Sequence, residues 1–404
     1  MLAQDIPFYQ NKAYLANALS HFSIDVLNNS RNVIFGILAV SMGLADSDLG
    51  LIALIYAVGN ALLQPAFGWA GDKFGARWLV IGGTGWMILF YGIGALAPEN
   101  IAIIALTIAG IGSGAFHPSG TMVAGRSSKS RRNQATAYFF MAGQIGLFLG
   151  PVIAGVLLDQ WGRPGYALLP LIATIPFIMD LIWLREDGLH PAHQQRDHAP
   201  AAISPPQTTT SHASTGQSRR EMVRTALPLR SSLLLLIIIL SINTVSISIV
   251  TYSPKLFTEL AFSASYVGWL AGLFMLGSAA GGIVGGNIAD RFSGRLAIRL
   301  GAAGGILPTF FFIPSPTALQ IGLLFLSGFF VGMPHSVLVI RVQSLLPGRQ
   351  AMASGLTLGL MFFGGAVGSW IVGHVADAFG LATTLQWLAL LLLLPVVAAF
   401  LLRD

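Results

Sequence analysis

A carboxylate and an imidazole one helical turn apart can share a proton, and this chain offers that pair at the head of a polar stripe. His21, Asp25, Asn28 and Asn32 fall at spacings of four, three and four, which puts them on one helical face. Asn29 and Arg31 flank it. The segment around them, 12–41, reads as a membrane span, and such a face cannot point at lipid. An ionisable group kept inside a bilayer is costly and so is a candidate for function. Two readings of Asp25 stand. It can carry a proton, with His21 as its partner, or it can form a structural pair that fastens the span to its neighbours.

Further along, His117 precedes Pro118 and His335 follows Pro334. An imidazole in such a place can hydrogen-bond an anion, relay a proton, or cap a carbonyl freed by the proline ring. Asn243 lies in a later apolar run. Arg31 stands near the outer mouth of its span, where it can attract anions or snorkel to the interface. Cysteine is absent and no close ligand pair is evident for His117 and His335, so no metal and no cofactor is expected.

These residues need a membrane scaffold, and the composition supplies one. Of 404 residues, 54% are hydrophobic and only 9% charged, with a mean hydropathy of +0.72. A soluble domain carries about 25% charged residues. Apolar runs suggest twelve spans, near 12–41, 48–70, 77–97, 101–124, 134–158, 165–185, 229–257, 265–289, 296–313, 317–341, 350–376 and 382–402. The segment 186–228, rich in His, Pro, Gln, Ser and Thr, reads as a flexible linker. It divides the chain into a six-helix bundle over 1–185 and another over 229–404.

Met1 to Asn11 lack the marks of a cleaved signal, so the first helix is expected to remain a span. Every Lys and Arg except Arg31, Arg163 and Lys255 falls on the side of the linker and the two termini, which the positive-inside rule makes cytoplasmic. The expected location is therefore the inner membrane. The net charge of +6 sits in those loops and gives no sign of nucleic-acid binding. No Gly-x-Ser-x-Gly or His-Glu-x-x-His motif occurs, so an enzyme is not expected.

Landmarks recur at one offset of 218 residues. Asp72 matches Asp290, His117 matches His335, Asp159 with Gly162 matches Asp377 with Gly380, Ser47 with Gly50 matches Ser265 with Gly268, and Asp25 matches Asn243. An even number of spans per half makes the two repeats parallel. The fold class is thus an all-α membrane protein of twelve helices in two parallel six-helix repeats.

The loop Gly68-x-x-Gly71-Asp72-Lys73-Phe74-Gly75-x-Arg77, with a degenerate copy at Asp290, resembles the loop after the second span of major facilitator superfamily transporters. The resemblance implies a latch on the cytoplasmic side, with Asp72 capping a helix or pairing with a basic residue. Gly146, Gly150, Pro151 and Gly155 resemble the antiporter signature of the fifth span. Within the superfamily, Leu19 to Asp25, Gly112 to Pro118, and Gln343 to Arg349 with Ser354-Gly355 resemble the fosmidomycin-resistance group, although Ser119 stands where that group suggests an acid.

The resemblance implies a central cavity lined by spans one, four, seven and ten, and so by Asn28, Arg31, His117, Asn243 and His335. It further implies a monomeric, proton-coupled antiporter that exports a drug or a small anionic or amphipathic compound by alternating access. A symporter or uniporter importing a metabolite fits the first-span residues equally well. His374 and Asp377, at the outer end of span eleven, are expected to be solvated.

Overall fold

The computed structural model describes residues 7–128, 131–185, 229–345 and 359–402. The expected linker and most of the 343–355 stretch lie outside them. Among the described residues there are twelve long helical runs. The first six are α1 (Lys12–Ser41), α2 (Asp46–Phe74), α3 (Arg77–Leu96), α4 (Glu99–Arg126), α5 (Arg132–Gly165) and α6 (Leu168–Trp183). The second six are α7 (Leu229–Glu259), α8 (Ala264–Arg291), α9 (Gly294–Phe311), α10 (Thr317–Gly332, continued as His335–Leu345), α11 (Leu360–Phe379) and α12 (Leu381–Leu401).

Local chemistry sets their ends. The Asn11 side chain accepts the backbone N–H groups of Ala13 and Tyr14 at 3.0 and 3.3 Å and so caps α1. Gly75 turns the chain between α2 and α3 at φ +96°, and Gly380 does the same between α11 and α12 at φ +86°. The expected fifth span, 134–158, runs on to Gly165, with Gly162 at φ +61° kinking its last turn. Pro334 breaks α10 just ahead of His335.

Among the described residues, nine of these runs are long and apolar enough to cross a bilayer. The other three have evident reasons for falling short. α1 carries the polar stripe, α9 carries Arg295 and Arg299, and α6 has only 16 residues. Apolar side chains such as Leu171, Ile175 and Ile182 of α6 are exposed, which suits a surface solvated by lipid.

The 218-residue repeat reappears as repeated contacts. At the end of the bundle next to the linker, Arg77 donates to the carbonyls of Leu184 and Leu181, closing the last turn of α6. Arg295 donates likewise to Leu402, and Arg299 to Ala399, in α12. These arginines neutralise the negative helix ends.

The halves meet through α5 on α8, α2 on α11 and α1 on α7. At the end far from the linker these contacts are tied together. The Asp377 carboxylate accepts the N–H groups of Asp46 and Ser47 at 2.7 and 3.2 Å, at the start of α2. Asp159 accepts those of Ala264 and Ser265, both at 2.8 Å, at the start of α8. Asp377 is therefore exposed but engaged, which corrects the expectation of a merely solvated residue. Lys255 of α7 adds a buried ion pair to Asp46 at 2.5 Å.

Candidate functional site

Close packing of α1, α4 and α5 builds the site. Glycines on α5 admit α1: a Cβ at Gly143 would lie 2.5 Å from Asp25 Oδ2, and one at Gly146 would strike the Phe22 carbonyl. Gly150 meets the Val26 carbonyl in the same way, while Pro151 and Gly155 face Gly268 and Ala264 of α8. The fifth-span motif thus has a packing role, joining α5 to α1 in its own half and to α8 in the other.

Asp25, buried at 6% exposure, receives two imidazoles from two helices. His21 Nε2 lies 3.2 Å from Oδ2, and His117 Nε2 of α4 lies 3.3 Å from Oδ1. Each ring is held by its other nitrogen. His21 Nδ1 donates to the Phe139 carbonyl at 2.8 Å while its ring stacks on Phe139 with centroids 4.0 Å apart. His117 Nδ1 donates to the Ser113 carbonyl at 2.8 Å.

A carbonyl only accepts, so both Nδ1 atoms carry hydrogen. A neutral imidazole in that tautomer turns a bare Nε2 toward an acceptor-only carboxylate. Each of the two Nε2···O contacts therefore calls for one further hydrogen, and the cluster has room for two exchangeable protons. His117 is its accessible member, with 22% of its side chain exposed against 3% for His21.

A polar chain continues from Asp25. The Asn28 amide donates to Asp25 Oδ1 at 3.0 Å and to Ser113 Oγ at 2.9 Å. Ser113 in turn donates to Asn60 Oδ1 at 2.8 Å, and a π-helical turn at Val58–Leu62 carries Asn60. The Tyr56 hydroxyl donates to Asn28 Oδ1. The Arg31 guanidinium carbon lies over the Tyr56 ring, 3.4 Å from its centroid. The spacing of His21, Asp25 and Asn28 anticipated one face. Ser113 and Tyr56 were missed, because single polar residues in apolar runs carry no signal of their own.

Other expected residues lie elsewhere. Asn243 donates to the Ile239 carbonyl of its own helix at 2.8 Å and does not join the cluster. His335 is exposed and, among the described residues, forms no hydrogen bond or ion pair. Asp72 and Asp290 are likewise exposed and unpaired among the described residues. Among the described residues Asp72 has no basic partner, and Arg77 starts α3 and is taken up by the α6 carbonyls. Gly68 packs beside Pro118, where a Cβ would lie 3.7 Å away.

The absence of a close ligand set also needs correction. One ligand atom from each of His21, Asp25 and His117 lies within 4.8 Å of the others. The hydrogen-bond geometry accounts for this approach. A second buried acid, Asp180 of α6, accepts the Ser20 hydroxyl at 2.6 Å, and its other oxygen has no partner.

Near the linker end, a cleft of about 520 Å³ lies between α4 and α5, lined by Thr121, Gly125, Arg132, Thr136, Ala137 and Phe140. It reaches toward the cluster, since Thr121 is one turn from His117 and the Phe140 ring lies 6.1 Å from that of His21.

A bundle of two parallel six-helix repeats, tied at one end and holding ionisable groups at its centre, is the architecture of a membrane transporter. The chain belongs to the Major Facilitator Superfamily, whose family model matches residues 15–256 and 233–404. It is 26% identical over 393 residues to the fosmidomycin resistance protein of Escherichia coli (strain K12), covering 96% of this chain and 91% of that protein. To the uncharacterized transporter YfnC of Bacillus subtilis (strain 168) it is 29% identical over 394 residues, with the same coverages. In fold it is similar to a bacterial homologue of the human lysosomal transporter Spinster in an inward-facing, unoccupied conformation. There the TM-score is 0.76 at 13% identity, covering 98% of this chain and 97% of that one. A D-xylose-proton symporter gives 0.68 at 15% identity, covering 97% and 96%.

Proposed function

We propose that this transporter is a proton-coupled antiporter that exports a small anionic or amphipathic compound across the inner membrane. The observation that carries the reading is the Asp25 cluster, where two anchored imidazoles face one buried carboxylate and each contact calls for a proton. Protons entering the cluster fill the two Nε2···O contacts and fasten His117, the member borne by α4, to Asp25. Their departure leaves a bare Nε2 against a carboxylate and undoes that hold. Loss of that hold frees α4 to move relative to α1. Loading is thereby linked to which end of the bundle is open.

In this reading the linker end and both termini are cytoplasmic, as the distribution of Lys and Arg supports. The tied far end and the cleft at the linker end then correspond to an inward-open state, and the unpaired Asp72 and Asp290 to a released cytoplasmic latch. One chain supplies both halves, which fits a monomer.

Everted membrane vesicles given an inside-acid pH gradient test the proposal, with fosmidomycin as the probe. Gradient-driven accumulation in wild type and its loss in Asp25→Asn are expected. Accumulation in Asp25→Asn equal to wild type would remove Asp25 from coupling. Accumulation that needs the opposite gradient would favour import by symport.

A further inference from the structure

Three side chains with metal-ligating atoms converge in the Asp25 cluster, and each is held in the orientation a metal requires. His21 Nε2 and His117 Nε2 lie 3.2 and 3.3 Å from the two Asp25 oxygens. One ligand atom from each residue stands within 4.8 Å of the others. Both Nδ1 atoms donate to backbone carbonyls, those of Phe139 and Ser113, each at 2.8 Å. That leaves Nε2 as the bare nitrogen of both neutral rings. A histidine bound to a metal is fixed in the same way, with its far N–H on a carbonyl, carboxylate or water. Asp25 is oriented too, since the Asn28 amide donates to its Oδ1 at 3.0 Å.

Spacing and charge both suit one divalent ion. Ligands about 2.0–2.1 Å from a tetrahedral zinc stand roughly 3.3–3.4 Å from one another. The two Nε2···O spacings are close to that edge. Asp25 is buried, and among the described residues no lysine or arginine lies within ion-pair distance of it. A buried carboxylate needs positive charge beside it. Two protons supply that charge, and so does one divalent cation. Nitrogen ligands disfavour calcium and magnesium, which take oxygen, and with no cysteine there is no thiolate to favour copper(I). Two imidazoles and a carboxylate suit zinc and its neighbours, with a fourth position left to water. His117 has 22% of its side chain exposed, so an ion approaches from that side.

We propose that His21, Asp25 and His117 form a site for one zinc-type divalent ion, which takes the place of the two protons and fastens α1 to α4. His21 is anchored on the Phe139 carbonyl, so α5 is held along with them. Coordination bonds hold this arrangement more firmly than hydrogen bonds do, and the ion arrests the bundle in the conformation described. The site stands on its geometry alone, whereas the arrest rests on the transport reading above, in which α4 moves relative to α1. Bound metal is thereby an inhibitor of transport.

The test is a zinc titration of the purified full-length transporter without a histidine tag, with cobalt(II) as a spectroscopic probe. Wild type is expected to bind one zinc tightly and to give cobalt the intense visible absorption of a four-coordinate site. His117→Asn and Asp25→Asn are each expected to bind at least tenfold more weakly and to lose the cobalt signal, since loss of a mere supporting contact already costs about ten- to a hundredfold. Asp25→Asn keeps the shape of its side chain and so reports even if His117→Asn does not fold. The segment 186–228 carries His190, His193, His198 and His212, and a variant with all four changed to asparagine is expected to bind as wild type does. No saturable binding in wild type, unchanged binding in both cluster variants, or loss of binding in the linker variant would each overturn the site. For the arrest, a single cysteine near the tied end of the bundle is labelled by a membrane-impermeant maleimide with and without zinc. Slower labelling with zinc is expected in the wild-type background, and no effect of zinc in His117→Asn. An equal effect in both backgrounds would place the metal on the thiol and overturn the arrest. Zinc binding through His117 with labelling unchanged would leave the site standing and remove the cluster from the opening movement, which is a failure of the transport reading and not of the site.

Discussion

Asp159 and Asp377 stand 218 positions apart and perform the same act on opposite halves, each placing its carboxylate on the first two free N–H groups of a helix in the other half. A carboxylate there meets both unsatisfied donors and the positive end of a helix dipole. The two contacts close the far end of the bundle symmetrically. Replacing either residue by alanine is expected to weaken that closure by about 1.5–3 kcal/mol, the usual range for hydrogen bonds to a charged group. The chain has no cysteine of its own, so a single cysteine placed near the tied end reports on opening. Faster labelling by a membrane-impermeant maleimide in Asp159→Ala or Asp377→Ala is the expected result, and unchanged rates in both would remove these residues from the closure.

The second tie is asymmetric. Lys255 pairs with Asp46 at 2.5 Å and has Glu259 at 3.5 Å, but the positions matching Lys255 and Asp46 in the other half are Ile37 and Ala264. Both partners of the pair are buried. Removing one strands a charge, at a cost of about 3–5 kcal/mol, whereas removing both with apolar or neutral groups is close to neutral. Lys255→Met and Asp46→Asn are each expected to lower the melting temperature of the purified protein clearly, with the double variant recovering most of the loss. A double variant as unstable as the sum of the singles would show that the residues do not act as a pair.

His21 and His117 touch the same carboxylate but stand differently in the fold. His21 is stacked on Phe139 and enclosed, so its imidazole is part of the packing between α1 and α5. His117 is partly open. Substitution by asparagine is therefore expected to reduce the yield of folded protein at position 21. At position 117 folding is retained, while gradient-driven transport falls at least about tenfold, the equivalent of 1.4 kcal/mol in a barrier. Size-exclusion profiles and vesicle uptake measured on both variants check the distinction. Equal folding yields together with equal uptake would contradict it.

Periodicity and charge placement carried the twelve spans, and a constant offset carried the repeat, because a membrane fold writes its hydrophobic pattern directly into the chain. The stripe of His21, Asp25 and Asn28 was legible for the same reason: polar residues on one face of an apolar helix have few structural excuses. His117 was marked by its proline, but its pairing with Asp25 was not, since nothing in local spacing tells which helix packs against α1. Lys255 and Asp46 are 209 residues apart and meet only after the halves assemble. Asp72 is legible only in part. Its motif implied a latch, whereas the described conformation leaves it exposed, and a sequence records every state of a transporter without saying which one is seen.

Gly143 is the most exacting position in the site, because α1 approaches α5 there with its two functional side chains rather than with backbone. An added Cβ would lie 2.5 Å from Asp25 Oδ2 and 2.6 and 2.7 Å from two atoms of the His21 ring. Atoms cannot rest at such distances, so Gly143→Ala must push Asp25 or His21 off the geometry that aligns both Nε2···O contacts. Gly82 of α3 is the control, since its added Cβ meets nothing within 4 Å. In a helix interior the change from glycine to alanine is by itself worth about 0.5–1 kcal/mol of stability. Gly82→Ala should therefore be at least as stable as wild type and transport normally. Gly143→Ala gains the same helical preference, so a folded protein with transport reduced at least about tenfold is the expected outcome. Vesicle uptake alongside thermal unfolding separates the two effects. Normal uptake by Gly143→Ala would mean that the His21–Asp25–His117 geometry is slack, and that coupling does not depend on the alignment seen here.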